Sequence, residues 1–578
     1  PPPPPHPTRQ SSSAASDVYK RQGLDRAGDA IRHGVYAGAS RYGGALVIVG
    51  DDPAAKSSTV PSSSDLALMD LHLPVFYPAD VQEALDLGRH AVAMSRLTGL
   101  WTSIKIVAAV ADGSGTVDVS PDRLRIVVPD MAINGVPLVH EPDARLLPPI
   151  NMQIERDIRT TRFERARRYA SANNLNRITV GRDDAWLGIA ATGVTYGEVR
   201  GSLRRLGLES DDAIAAAGIR LLQLRLPLPF DAEVAREFAR GLDEIVVVEE
   251  KDPTIELLMK DALYGTSHMP KIVGKRDDQG DELVVGYGVL VADLITPALR
   301  RRLQPRLGER LAPEPPPTRE RALIPLSVER SPYFCSGCPH NWGSKVPDGA
   351  LVGAGIGCHT MTLLMDEEKV GTTAGLTQMG GEGAQWIGMA PFVDRDHFIQ
   401  NLGDGTFFHS GQLAIQAAIA AGVNITYKLL HNGTVAMTGG QDPVGQLGVP
   451  DIAGILIGHG VKRVIVTTDD PDRYRGVEMP RDRVGIVPVW DRTRIVEAQA
   501  LLATVPGVTV LIHDQACAAE ARRHRKRGEI PTPTGRVVIN HRICEACGDC
   551  GEVSNCLSVQ TMDTPLGPKT TIDQTTCN

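Results

Sequence analysis

Residues 398–441, FIQNLGDGTFFHSGQLAIQAAIAAGVNITYKLLHNGTVAMTGGQ, constrain the fold more than any other stretch. The apolar run ending at Leu402 predicts a strand. Ser410 reads as an N-cap, 413–421 as a buried Ala-rich helix, and Gly422 as its stop. ITYKLL (425–430) predicts a second strand, closed by His431 and Asn432. Parallel neighbours need a crossover of about a dozen residues or more, and the 25 residues between Gly405 and His431 supply one. That crossover brings Asp404 and Asn432 to one carboxyl edge, where open α/β sheets bind ligands. Asp404 offers a carboxylate, Asn432 an amide oxygen and Thr434 a backbone carbonyl. Hard oxygens of this kind suit Mg²⁺ bridged to phosphates, and Gly403 and Gly405 let the backbone approach a diphosphate closely. The competing reading is an ordinary βαβ turn, with Gly and Asp serving geometry alone.

The rest of the chain repeats the same alternation. ALVIVG (45–50) and RLRIVVP (123–129) have strand length, with a helical pattern at 80–99. NRITVG (176–181), WLGIAATG (186–193), GIRLLQLR (218–225) and EIVVVEE (244–250) predict further strands, with helices at 195–207 and 231–243 between them. Strands alternating with helices indicate parallel sheets. The fold expectation is α/β: three consecutive doubly wound domains at 23–165, 166–305 and 331–520, with a linker at 306–330. A basic linker and a truncated ferredoxin-like segment occupy 521–578. Residues 1–22 are Pro- and Ser-rich with no apolar period, and 17–22 (DVYKRQ) reads as translated sequencing adapter. They are expected to be a non-native, disordered leader. The chain stops one residue past Cys577, so a fragment of a longer protein is expected.

Composition excludes several classes. Hydrophobic residues at 42% and charged residues at 22% are ordinary for a soluble protein. A net charge of −8 argues against a dedicated nucleic-acid binder. No apolar run reaches the roughly 18 residues of a membrane span, and no signal peptide is visible, so a cytoplasmic location is expected. Of nine cysteines, five lie in the last 35 residues, which is no secreted disulfide framework.

Cys544-x2-Cys547-x2-Cys550-x5-Cys556 has the first three spacings of a bacterial ferredoxin motif, and Cys577 would open a second. Soft thiolates so spaced suit a [4Fe–4S] cluster; a zinc site is the alternative. Cys335 and Cys338 form half a zinc site or a redox dithiol, with no second CxxC nearby. Cys358 and Cys517 read as small buried residues. Asp51, Asp52, Ser57 and Ser58 follow a strand, as edge-site residues or as turn and capping groups. His340, His359 and His409 are proton-handling candidates or structural histidines.

CSGCPH, GIGCH, MGGEGAQW, GDGTFFHSG and AMTGGQ, in that order, resemble the thiamine diphosphate (TPP)-dependent 2-oxoacid:ferredoxin oxidoreductases, and within them the fused indolepyruvate ferredoxin oxidoreductases. His431 departs from the usual pair of asparagines. The likeness continues through 23–34, 50–59, 80–99 and 542–559, and covers nearly all of 23–578. It implies oxidative decarboxylation of an aryl 2-oxo acid of the indole-3-pyruvate type. CoA would take the acyl group, and [4Fe–4S] clusters would pass electrons to ferredoxin. The same chemistry on pyruvate or another 2-oxo acid, and a non-oxidative TPP decarboxylase, are the alternatives. By the same resemblance, Cys338, His340, Gly357, Cys358, Gly403, Asp404, Gly405, Thr406, Asn432, Thr434, Met437 and Thr438 bind the cofactor. Asp404, Asn432 and Thr434 hold Mg²⁺; Cys544, Cys547, Cys550, Cys556 and Cys577 hold iron–sulfur clusters. The fourth cysteine of each such motif serves the other cluster in two-cluster ferredoxins. The activating glutamate is expected before residue 23, leaving His340 and His409 as catalytic candidates. TPP is expected between the 23–165 and 331–520 domains, 166–305 resembles a transketolase C-terminal domain, and a γ-type domain is expected beyond 578. A homodimer is expected, and the basic run 522–527 would attract an acidic ferredoxin or a CoA phosphate, or be a solvated linker.

Overall fold

The computed structural model describes residues 21–314, apart from 57, 59, 121, 134 and 136–139, and residues 334–577. Most of the expected proline-rich linker, the leader through residue 20, and Ser57 lie outside the described residues. The described chain divides into two compact units, one ending at 314 and one starting at 334.

The first unit holds two sheets. β1 (Leu46–Asp51), β2 (Val75–Phe76) and β3 (Thr102–Val107) form a parallel sheet in the order β1-β3-β2. The helix Val81–Thr98 packs on it: the Asp80 side chain accepts from the Glu83 N–H at its start, and Gly99 ends it at φ +74. β4 (Asn176–Val180), β5 (Leu187–Thr192), β6 (Ile219–Leu224), β7 (Glu244–Val248) and β8 (Lys271–Val273) form the second sheet, ordered β4-β6-β5-β7-β8. Only β4 runs antiparallel there. Its interior strands β5 and β6 are buried at every position, as strands covered by helices on both faces must be.

RLRIVVP (123–129) is not a strand. Instead of a neighbouring strand, the Asn173 side chain pairs with Val127, accepting its N–H and donating to its carbonyl at 2.8 Å each. Val127 and Val128 are exposed. The β-branched run had the right composition and no ladder to join.

The second unit is built on seven parallel strands. These are β9 (Leu351–Ala354), β10 (Thr372–Leu376), β11 (Phe398–Gly403), β12 (Ile425–His431), β13 (Arg463–Thr468), β14 (Val489–Asp491) and β15 (Val508–Asp514). Their order is β10-β9-β11-β12-β15-β13-β14. One face packs Phe398, Leu402, Ile425, Tyr427 and Leu429 against the helices Gln412–Ala421 and Val449–His459. The other face packs Ile465 and Leu511 against the helix Ile495–Ala503. A hairpin of β16 (Val559–Thr564) and β17 (Gly567–Ile572) follows.

Two local expectations change. Helical backbone begins at Asp404 rather than after Ser410, because extended Gly403 serves as the cap position. Ser410 lies inside a π-type turn, Phe407–Gly411, with its hydroxyl 2.8 Å from His409 Nδ1. Residues 522–527, expected as a linker, lie mostly on the helix Ala518–Lys526, whose basic last turn complements the helix dipole. Among the described residues no helix is long and apolar enough to cross a membrane.

Candidate active site

The carboxyl edge of the seven-stranded sheet gathers most of the chemistry. β11 and β12 pair so that Gly403 faces Leu430, and β12 and β15 so that His431 faces Asp514. Asp404 and Asn432, each one residue beyond its strand, therefore meet. Asp404 is buried; its Oδ2 accepts the N–H groups of Asn432 at 3.0 Å and Gly433 at 2.8 Å, and its Oδ1 that of Gly405 at 2.8 Å. Burial raises its pKa against the pull of His431 and these N–H groups. Asn432 Oδ1 accepts the Thr434 N–H at 3.0 Å. A carboxylate oxygen and an amide oxygen each have about two lone pairs, so Asp404 Oδ1 and Asn432 Oδ1 each keep one for a cation. Beside them His431 Nδ1 lies 2.8 Å from Asp514 Oδ1. Burial would lower the His431 pKa, but the Asp514 carboxylate holds it above the ordinary value.

The loops around Asp404 leave no room for side chains. A Cβ on Gly355 would stand 2.9 Å from His359 Nε2, and one on Gly357 2.8 Å from His359 Cε1. A Cβ on Gly403 would reach within 3.3 Å of the same imidazole. His359 thus sits under both glycine-rich turns. Its ring lies 5.9 Å from that of His340, which in turn faces Phe334. Burial lowers the pKa of His340 to about 4, of His359 to about 3 and of Lys428 to about 7. His340 Nδ1 and His359 Nε2 are buried without a hydrogen-bond partner. Orphaned nitrogens beside a closely approached backbone, with hard oxygens at Asp404 and Asn432, fit a polar phosphate-bearing ligand with its Mg²⁺.

Thr406 is buried, its hydroxyl 3.5 Å from the Ile356 carbonyl. Thr438 pairs with Gln441 through two 2.7 Å hydrogen bonds, and Met437 is half exposed. His409 is exposed on the outer turn after β11.

Four cysteines come together at this edge: the CxxC pair, Cys358 from the expected cofactor-binding set, and Cys517, which the sequence offers only as a small buried residue. Burial pushes the Cys338 thiol up to about 12, and the sulfurs of Cys358, Cys335 and Cys517 add to the push. Cys358 rises to about 11 by burial and by Cys517 and Cys335. The CxxC pair therefore has partners, single cysteines following β9 and β15. Sheet order was the missing signal: only β11 and β12 separate these two strands, so residues just past their ends converge. Soft sulfurs that raise one another's pKa are the donor set a thiophilic cation stabilises. Among the described residues no group of three or more His, Cys, Asp or Glu side chains is arranged to hold a metal ion.

In the tail, Cys544 Sγ accepts the Thr570 N–H at 3.3 Å, and this bond with that of Ala546 lowers its pKa. Cys547 and Cys550 are exposed, and Cys556 and Cys577 half-buried. In the first unit, Asp51 accepts from the Ser64 N–H and hydroxyl, and Asp52 from the N–H groups of Lys56 and Ser58. Both acids are engaged within their own loop, and Asp51 also lies 3.4 Å from the Lys105 ammonium.

The thiamine pyrophosphate enzyme, C-terminal TPP-binding domain family matches residues 355–477, a span that contains Asp404, Asn432 and Thr434. The indolepyruvate oxidoreductase domain family matches 177–309. Indolepyruvate oxidoreductase subunit IorA of Archaeoglobus fulgidus is 25% identical over 577 residues, covering 97% of this chain and 83% of that protein. The chain fits the indolepyruvate ferredoxin oxidoreductase family. It is a TPP-dependent oxidoreductase. IorA of Pyrococcus horikoshii, 24% identical, covers 94% of this chain and is itself covered to 81%. Among solved structures, the 2-oxoglutarate:ferredoxin oxidoreductase of Magnetococcus marinus overlaps this indolepyruvate oxidoreductase relative at TM-score 0.34 and 14% identity. It covers 49% of this chain and 52% of that one.

Proposed function

We propose that this chain is the TPP-bearing part of an enzyme that oxidatively decarboxylates an aryl 2-oxo acid of the indole-3-pyruvate type. CoA takes the acyl group, and iron–sulfur clusters carry the electrons to ferredoxin. The observation that carries the reading is the meeting of Asp404 and Asn432 at a sheet edge beside four cysteines. Asp404 Oδ1 and Asn432 Oδ1, with the Thr434 carbonyl, would hold Mg²⁺ against the cofactor's diphosphate. Gly403 and Gly405 would let the backbone approach it. Bound TPP supplies an electron sink that lets CO₂ leave a 2-oxo acid.

The chain's own groups prepare that chemistry. His340 and His359 are buried and neutral near pH 7, so they place no competing positive charge beside the Mg²⁺ site. Their unpartnered nitrogens can exchange hydrogen bonds with a ligand. Cys335, Cys338, Cys358 and Cys517 would hold an iron–sulfur centre next to the cofactor. Cys544, Cys547, Cys550, Cys556 and Cys577 would serve clusters completed by a domain or partner subunit; the curated relatives are themselves named as subunits.

The test is anaerobic: CoA-dependent viologen reduction by the full-length protein with its partner, across indole-3-pyruvate, pyruvate and other 2-oxo acids. The reading expects reduction, strongest with the aryl substrate, and its loss in Asp404→Ala. CO₂ release with no viologen reduction would establish a non-oxidative decarboxylase instead. Unchanged activity in Asp404→Ala would reject the metal assignment.

A further inference from the structure

The loop that carries the candidate Mg²⁺ ligands is tied at two places to the segment that carries Cys517. Asn432 gives its carbonyl to the Cys517 N–H at 3.2 Å, so a candidate magnesium ligand and a candidate cluster ligand share one hydrogen bond. Cys517 occupies the cap position of the helix Ala518–Lys526. One turn on, Glu520 and Arg523 pair at 2.7 Å, and Arg523 Nη1 also donates to the Gly439 carbonyl at 3.0 Å.

Between these ties the loop is closed on itself. Val435 N–H donates to the Gln441 carbonyl at 2.8 Å, and the Thr434 hydroxyl to the same carbonyl at 3.1 Å. Gly440 has φ +85, and a Cβ there would stand 2.3 Å from Glu520 Oε2 and 2.7 Å from Arg523 Nη1. The helix side chains and the loop therefore touch, and a methyl group at Gly440 would have to displace the Glu520 carboxylate and the Arg523 guanidinium. A small, closed loop held at both ends moves as one piece.

We propose that Glu520 and Arg523 are positioning residues that latch the 433–441 loop to the Cys517 helix, so that the diphosphate–Mg²⁺ site and the thiol site load cooperatively. The inference rests on the function proposed above. Filling the thiol site fixes Cys517 and the start of its helix. The shared hydrogen bond and the Arg523–Gly439 contact then hold Asn432 and Thr434 in place before TPP arrives. Linkage makes the effect reciprocal: bound TPP and Mg²⁺ favour cluster retention by the same factor.

The test measures TPP affinity by calorimetry at saturating Mg²⁺, without turnover. The full chain is used anaerobically, with clusters loaded or stripped by chelator. Wild type is expected to bind TPP about fivefold or more tightly when loaded, the lower end of ordinary coupling. Arg523→Met and Gly440→Ala should bind like stripped wild type in both states, and Arg523→Lys should restore part of the difference. A merely structural contact would weaken TPP binding equally in both states and leave the loaded-to-stripped ratio of Arg523→Met at the wild-type value. Equal affinity of loaded and stripped wild type overturns the latch alone, as does full coupling in Arg523→Met. No TPP binding by loaded wild type overturns both the latch and the function beneath it.

Discussion

Lys105 is 1% exposed in the interior of β3, with its ammonium 2.6 Å from Asp65, 3.4 Å from Asp51 and 4.5 Å above the Tyr77 ring. Burial alone would raise Asp65, but the Lys105 charge holds its pKa below the ordinary value. Removing one partner of such a group strands the others in a poorly solvated site, which costs about 3–5 kcal/mol. Lys105→Met is therefore expected to lower unfolding stability by that amount in urea titration; a change under about 0.5 kcal/mol, the size of an ordinary surface substitution, would contradict the assignment. At this scale the sequence was partly legible. Asp404 and Asn432 stood out because their neighbours dictate strand, crossover and strand, and that local grammar brings them together. Lys105 gave no warning, since a lysine in a strand is ordinarily at the surface. Cys517 gave none either, because the other three cysteines lie more than 150 positions before it and meet it only through the fold.

Elements carry the pH response. His397 precedes β11 with its Nε2 2.9 Å from the Thr426 hydroxyl, and His513 sits in β15 with its Nδ1 3.1 Å from the Thr467 hydroxyl. Burial lowers their pKa values to about 4 and about 3. Both are neutral when folded, whereas the unfolded chain binds protons near its ordinary value of about 6.5. The stability from their burial is therefore complete above that value. It falls as pH drops towards the folded values, by about 1.4 kcal/mol per pH unit for each group. The urea midpoint should decline from pH 6.5 to pH 4, and His397→Gln, which keeps a hydrogen bond to Thr426, should flatten that decline. An unchanged slope would contradict it. Strands and helices with clear period and caps, such as β5, β12 and Val81–Thr98, lie within a residue or two of their expected bounds. The failures are physical: RLRIVVP lacked a neighbouring strand, Ser410 lost its cap role to an earlier helix start at Asp404, and 522–527 became a helix end.

On the scale of the molecule, the cysteines form two thiol sets, one at the sheet edge and one in the tail. Replacing Cys335 and Cys358 together by Ser should remove one cluster's worth of iron from anaerobically reconstituted protein, while Cys544→Ser should leave that portion in place. Equal losses from both would mean the sets are not independent. Both rest on a more basic claim, that the edge after β11 and β12 receives a diphosphate through a divalent cation. The most direct measurement is calorimetric titration of TPP with and without Mg²⁺ into wild type, Asp404→Ala and Asn432→Ala, with circular dichroism to establish that each variant is folded. Mg²⁺-dependent binding in wild type, abolished in Asp404→Ala and weakened at least tenfold in Asn432→Ala, about 1.4 kcal/mol, is the expected result. TPP bound equally well by all three, or by wild type without Mg²⁺, would contradict the account.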